Sequence, residues 1–202
     1  MAETAPRIGV TMRVAEATGY KETRDALASD WPVYLHATIP DATWLYLPNI
    51  GAAGAASYCE ALGVTGLILS GGEDPGVHLH RDETERGLLD WAQTGTRPVL
   101  GVCRGMQLMA QRAGASLVPV SGHVATRHRI AGEITREVNS YHAIGLEACP
   151  NGYEVLARAD DGSIEALGHQ VLPWECWMWH PEREALADSS DVMRMRKVFG
   201  LT

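Results

Sequence analysis

Arg97-Pro98-Val99-Leu100-Gly101-Val102-Cys103-Arg104-Gly105-Met106-Gln107-Leu108-Met109-Ala110-Gln111-Arg112 decides the fold. Its first half, Arg97 to Val102, reads as a short buried strand. Its second half, Arg104 to Arg112, reads as a helix of strong helix formers. A strand that turns into a helix across Gly-x-Cys-x-Gly places Cys103 on a tight turn with its side chain projecting outward. The flanking glycines let backbone segments approach where a β-carbon would obstruct them. Unpaired amides and the positive dipole end of the following helix favour thiolate over thiol at Cys103, and the thiolate is the nucleophilic form.

Working outward, the same alternation recurs. Strands are expected at Arg7 to Met12, Thr43 to Leu47 and Thr65 to Ser70, and helices at Glu22 to Leu35, Ala52 to Leu62 and Asp82 to Gln93. Pro32 is expected to bend the first of these helices. Strands alternating with helices imply a mainly parallel sheet covered on both faces. Past Arg112 the texture changes to short strands, Val155 to Arg158, Ile164 to Leu167 and Glu175 to Trp179, joined by turns such as Asp160-Asp161-Gly162. A helix is expected from Asp188 to Val198, and Gly122 to Ile130 reads as a loop. The prediction is an α/β fold: a mainly parallel central sheet flanked by helices, with a small antiparallel annex.

Bulk properties agree with one globular unit. The 202 residues, 46% of them hydrophobic, suffice for one domain over residues 1–202 with its own core. No apolar run reaches the roughly 18 residues a spanning helix needs. The opening Met1 to Arg7 lacks a basic stretch followed by an apolar one, so a cytoplasmic protein without secretory signal is expected. With 17 basic against 25 acidic residues the net charge is −8, and Lys21 and Lys197 are the only lysines. That balance speaks against nucleic acid as a partner. The four cysteines (Cys59, Cys103, Cys149, Cys176) form no Cys-x-x-Cys pair, and all but Cys103 read as buried packing residues.

Two further motifs share a chemistry with Cys103. Trp179-His180-Pro181-Glu182 follows a strand and sets a base and a carboxylate two positions apart, the partners a cysteine nucleophile requires. Ser70-Gly71-Gly72-Glu73-Asp74 lies at the carboxyl end of a strand, where parallel sheets bind ligands, and offers backbone amides to an oxyanion. It lacks the Gly-Lys-Ser/Thr ending of a phosphate-binding loop, which removes nucleotide hydrolysis. His123, His128 and His142 lack a tight metal-ligand spacing and are expected to serve polar packing or substrate contact, with no metal. Trp174, Trp177 and Trp179 read as core and cleft wall.

In this order and spacing the three motifs resemble the class I glutamine amidotransferase family, over Ile8 to about Glu182. The resemblance implies a flavodoxin-like sheet, Cys103 as nucleophile, His180 as acid and base, and Glu182 as the group that orients it. It also implies oxyanion amides at Gly72 and Arg104, a substrate contact at Gln107, and no metal or organic cofactor. Arg104 after the nucleophile, the helix start Arg81-Asp82-Glu83-Thr84-Glu85 and the segment Val138-Asn139-Ser140-Tyr141-His142 are similar to the stand-alone γ-glutamyl hydrolase branch. That likeness implies Ser140, Tyr141 and His142 near the glutamyl α-carboxylate. Ala143-Ile144 departs from the branch's His-Gln, which points to a different leaving-group side. The opening Ile8-Gly9-Val10-Thr11-Met12-Arg13 and the stretch Tyr20 to Trp31, with Glu22, Arg24 and Asp25, resemble a compact subgroup that includes γ-glutamyl-CDP-amidate hydrolases. The implied partner is a small-molecule γ-glutamyl substrate whose charged leaving group would meet Arg13, Arg24, Arg127 or Arg129. Nucleic acid and membrane are not expected, and a homodimer is the assembly to test for.

Overall fold

The computed structural model describes residues 5–201; Met1 to Thr4, part of the opening read above for a secretory signal, and Thr202 lie outside them. Among the described residues, thirteen strands and five α-helices follow one another. The first half holds β1 (Arg7–Thr11), β2 (Arg13–Glu16), β3 (Thr23–Ala26), α1 (Asp30–Thr38), β4 (Thr43–Leu47), α2 (Ala52–Ala61), β5 (Gly66–Leu69), α3 (Leu79–Thr94), β6 (Val99–Val102) and α4 (Arg104–Arg112). The second holds β7 (Leu117–Pro119), β8 (Val124–Gly132), β9 (Arg136–Tyr141), β10 (Ile144–Leu146), β11 (Tyr153–Ala159), β12 (Ile164–His169), β13 (Trp174–Trp177), a 3-10 turn (Pro181–Arg183) and α5 (Ser189–Val198).

Nine strands form one sheet in the order β4-β1-β5-β6-β13-β12-β11-β8-β9. The first five run parallel, and counted in chain order they read 2-1-3-4-5, the flavodoxin-like arrangement. The last four continue it antiparallel. The β2–β3 hairpin and the β7–β10 pair stand apart as two-stranded ribbons. Side chains of the central strands alternate between two cores. Leu67, Leu69, Val99, Trp174 and Cys176 face α2, α3 and α4. Ile8, Val10, Ile68, Leu100, Val102 and Trp177 face α1 and α5. Apolar residues on both faces of a strand are what a sheet covered on both sides requires. Among the described residues no helix is long and apolar enough to cross a membrane.

Three expectations are corrected. Glu22 to Leu35 is not one helix: Thr23–Ala26 pairs antiparallel with Arg13–Glu16, and α1 begins only at Asp30. Val14 is the one buried side chain of the hairpin's eight strand residues, so no apolar period marks it. Pro32 falls in the first turn of α1, where a missing N–H costs no helical hydrogen bond and no bend follows. The expected loop at Gly122 to Ile130 is largely strand β8, an exposed ribbon whose polar side chains hide its pairing with β9.

One helix braces the two turns that matter for the site. Arg81 of α3 donates to the carbonyls of Ser70 (2.9 Å) and Gly71 (3.1 Å) and to Glu85 Oε1 (3.0 Å). Arg104, directly after Cys103, pairs with Asp82 and with the other oxygen of Glu85. All four side chains are buried, at 0–2% exposure. Burial works against the Glu85 carboxylate, but Arg81 and Arg104 hold its pKa below the usual range. Removing one partner strands the others without charge compensation. Glu85→Ala is therefore expected to cost about 3–5 kcal/mol of stability, read as a fall in the urea midpoint at unchanged m-value. Asp90→Ala, which breaks the surface pair between α3 and Arg112 of α4, should cost less than about 1 kcal/mol. At the foot of α4 a β-carbon on Gly105 would lie 2.3 Å from the Leu69 carbonyl oxygen, against backbone that cannot yield. Gly105→Ala is expected to lose about 1–3 kcal/mol by the same measurement.

Candidate active site

The carboxyl ends of the central parallel strands converge on one edge. β1 leads through Met12 to Arg13, β5 to Ser70-Gly71-Gly72, β6 to Cys103, and β13 through Met178 and Trp179 to His180. Arg13, Trp31, Gly71, Gly72, His180 and Arg183 line the cleft there.

Cys103 has φ 51° and ψ −105°, a left-handed backbone that an L-residue with a β-carbon adopts at a cost of roughly 1–3 kcal/mol. Its own N–H donates to the Trp177 carbonyl at 2.7 Å, tying the turn to β13. The N–H of Arg104 is then the first of helix α4, where amides have no intrahelical acceptor. Gly101 and Gly105 make the turn possible, since β-carbons there would meet Met109 Sδ at 2.5 Å and the Leu69 carbonyl.

His180 is buried (2% exposed) and clamped on all sides. Its Nδ1 donates to Glu182 Oε1 at 2.6 Å, and the Cys103 thiol is near enough to act on its charge. Asn139 grips the backbone twice: the His180 N–H donates to Asn139 Oδ1 (2.9 Å), and Asn139 Nδ2 donates to the His180 carbonyl (2.7 Å). A β-carbon on Gly71 would stand 2.5 Å from the imidazole Cε1, so the glycine is the floor on which the ring rests. Burial lowers the His180 pKa, but hydrogen bonds to Cys103 and Glu182 and their charges outweigh it, raising the value to about 9. An imidazole between a thiol and a carboxylate is an arrangement able to exchange protons with a nucleophile.

Gly72 sits at φ +142°, with the Arg81 guanidinium where a side chain would be (2.3 Å from an ideal β-carbon). The structure thus brings Gly71-Gly72, Cys103, His180 and Glu182 to one edge of the sheet, with the Arg104 amide opening α4. Tyr141 joins them, its ring edge-on to His180 at 5.8 Å and under the Arg183 guanidinium at 4.5 Å. Gln107 is buried on α4; its Nε2 donates to the Ile144 carbonyl (2.9 Å), and its Oε1 has no hydrogen-bond partner among the described residues. Ser140 and His142 point elsewhere. The Ser140 hydroxyl donates to the His123 carbonyl (2.6 Å), and His142 packs in a buried cluster with His123. Trp177 and Trp179 stack at 5.5 Å inside the core, as expected of them.

Among the arginines set against a charged leaving group, Arg13 lines the cleft and pairs with Glu73. Arg24 is engaged by Glu22 and Tyr20, Arg127 by Glu137 and Glu184, and Arg129 is exposed on β8. Arg183, which sequence reasoning passed over, lines the cleft instead. Its position beside Glu182 was the signal available.

Comparison with known proteins gives the family. The family model for glutamine amidotransferase class-I matches residues 49–196. A γ-glutamyl-CDP-amidate hydrolase of Campylobacter jejuni is 30% identical over 193 residues, covering 93% of this chain and 95% of that one. A glutamine-hydrolysing GMP synthase subunit of Methanocaldococcus jannaschii is 30% identical over 129 residues, 59% of this chain and 65% of that one. A crystal structure of a glutamine amidotransferase from Thermotoga maritima superposes with a TM-score of 0.65 at 13% identity, covering 98% of this chain and 84% of that one. The chain belongs to the class-I glutamine amidotransferase family.

Proposed function

We propose that the chain hydrolyses a γ-glutamyl amide with Cys103 as nucleophile, His180 as acid and base, and Glu182 as its orienting carboxylate. The observation that carries the reading is His180 held between Cys103 and Glu182 beside the strained turn. The Cys103 thiolate attacks the γ-carbonyl carbon, and the amides of Gly72 and Arg104 receive the oxyanion. The His180 imidazolium protonates the leaving nitrogen as the C–N bond breaks, leaving a glutamyl thioester. Neutral His180 then takes a proton from water, the hydroxide attacks the thioester, and glutamate departs with the thiolate restored. Loss of one oxyanion donor typically costs ~10²–10³ in rate. Tyr141 and Gln107 are assigned to the glutamyl moiety; Ser140 and His142 support that strand from behind.

The specific reading is a γ-glutamyl-CDP-amidate hydrolase that leaves cytidine diphosphoramidate, as in capsule phosphoramidate modification. Its support is the end-to-end similarity to the Campylobacter hydrolase and the cations Arg13 and Arg183 at the cleft. The similarity to a GMP synthase subunit favours a second reading, a glutaminase delivering ammonia to a partner synthase. A γ-glutamyl-γ-aminobutyrate hydrolase is the third.

Glutamate release from γ-glutamyl-CDP-amidate, glutamine and γ-glutamyl-γ-aminobutyrate separates these. Fastest turnover of the amidate is expected, with Cys103→Ala reduced on the order of 10⁴-fold or more. Glutamine turnover that appears only with a synthase partner would overturn it in favour of the glutaminase.

The raised His180 pKa gives a second test. A histidine near 6.5 unfolded and about 9 folded contributes stability that is fully present below pH ~6.5 and is lost as pH rises through about 9. The imidazole resonances of His180 are expected to titrate near 9, and in Glu182→Gln the midpoint should fall toward 6.5. The stability gap between wild type and Glu182→Gln should narrow across the same upper window. A wild-type midpoint already at 6.5 would mean that no thiolate–imidazolium pair forms.

A further inference from the structure

A second cluster of titratable groups lies outside the Cys103 centre, where β8, the end of β9 and β12 meet. His123 Nδ1, His128 Nε2 and a carboxylate oxygen of Glu165 lie within 4.8 Å of one another. Glu165 Oε1 is 3.3 Å from His123 Nδ1, 3.5 Å from His128 Nε2 and 3.4 Å from His142 Nε2. His142 Nε2 is in turn 3.2 Å from His123 Nδ1. Glu165 is wholly buried, yet both of its oxygens and His128 Nε2 lack a hydrogen-bond partner among the described residues. His123 Nδ1 and His142 Nε2 stand at hydrogen-bond distance, but with the opposite nitrogens of both rings facing Asp161 and the Ile144 carbonyl, the neutral imidazoles have no proton left to share there. Such convergence of lone pairs is what ligands around a common point show.

The spacing identifies that point. Zinc bound by nitrogen and oxygen at roughly 2.0–2.2 Å in a tetrahedron separates its ligands by about 3.3–3.5 Å. The distances from Glu165 Oε1 to His123 and His128, 3.3 and 3.5 Å, match two of those edges, and all three ligand atoms lie within 4.8 Å of one another. The far side of the His123 ring is also arranged as metal sites arrange it. His123 Nε2 faces Asp161 Oδ2 at 2.9 Å. An acceptor there fixes the tautomer and turns the opposite nitrogen toward the cation. A cation would also compensate a carboxylate that is buried without an aligned hydrogen bond.

We infer that His123, His128 and Glu165 form a binding site for a divalent transition-metal ion of the zinc class, with His142 packed beside it. Two imidazoles and one carboxylate suit zinc or cobalt rather than calcium or magnesium. Three protein ligands leave a fourth position for water. The ion ties β8 to β12, next to the end of β9, the strand that carries Asn139 and Tyr141 to His180. The inference rests on this cluster alone and does not depend on the reaction assigned to Cys103.

The test is metal binding by the full chain, in wild type and in a Cys103→Ala background that excludes capture by the reactive thiol. After removal of metal and titration with zinc or cobalt, one tightly held equivalent is expected by elemental analysis, with a raised Tm. Cobalt should show the strong visible absorption of tetrahedral coordination without thiolate charge transfer. His128→Ala should abolish that spectrum. Asp161→Asn, at a half-exposed position that does not threaten folding, should weaken affinity about 10–100-fold. No bound metal and no shift in Tm would overturn the site, leaving imidazoles that share protons with Glu165. Binding undiminished in both variants would place the ion elsewhere and overturn it equally.

Discussion

The site depends on one buried set of charges, Arg81 and Glu85 on α3 with Arg104 behind the Cys103 turn. Two loops from separate strands, Ser70-Gly71-Gly72 and Cys103-Arg104, must be held in fixed register if their amides are to receive the same oxygen atom. Backbone pairing alone cannot do this, because both loops have left the sheet. Arg81 reaches the first through its carbonyls, Arg104 belongs to the second, and Glu85 joins the two guanidiniums with one oxygen to each. Asp82 completes the balance at two positive and two negative side chains. Burying four charges is costly, and apolar packing would serve stability as well. What apolar packing would not supply is the direction of the Gly71 carbonyl, and with it the orientation of the next peptide. The guanidinium also occupies the space beside Gly72, so that position is closed to side chains by sterics and by φ together.

The second constraint is confinement of the imidazole. A histidine asked to accept and return a proton within one cycle loses efficiency if its ring can swing. Here Asn139 fixes the backbone, Glu182 fixes Nδ1, Gly71 lies under Cε1 and Tyr141 closes one edge. The Cys103 N–H, donated to the Trp177 carbonyl, stitches the nucleophile turn to the strand that carries His180. The distance between thiol and imidazole is thereby set by pairing of β6 with β13, neighbours in a parallel ladder. Chemistry that spans 77 positions of sequence becomes a local matter of two adjacent strands.

This explains what could be read from the sequence. Strand-turn-helix units with apolar runs, β5 through α4, are written locally: Arg104 to Arg112 was legible to the residue because glycines and a buried strand bound it on one side and Gly114 on the other. The motif around His180 was legible because its carboxylate partner is two residues away. The β2–β3 hairpin and β8–β9 ribbon were not, since their side chains are largely exposed and carry no period of burial. The histidine cluster was hidden for another reason. His123, His128, His142 and Glu165 are separated by 5, 14 and 23 positions in the chain, and only antiparallel pairing in the annex brings them together. Ser140 and Tyr141 show the limit of a motif: adjacent residues of a strand face opposite ways, so a linear match cannot say which one meets the cleft.

If Cys103, His180 and Glu182 act as proposed, they need only a γ-carbonyl, and the choice of leaving group falls to the rim. The rim, by contrast, is built from elements peculiar to the hairpin and the 3-10 turn: Arg13 at the start of β2, Leu27 beyond β3, and Arg183 stacked on Tyr141. Two cations facing a cleft favour an anionic leaving group, since a guanidinium partly shielded from water gains more from phosphate oxygens than from a neutral amine. Arg13 already leans on Glu73, and that carboxylate must be displaced or shared when an anion arrives. On the proposed reading, selectivity between a phosphoramidate nucleotide and glutamine turns on whether the ligand's charge displaces Glu73 from Arg13, a competition that salt would weaken.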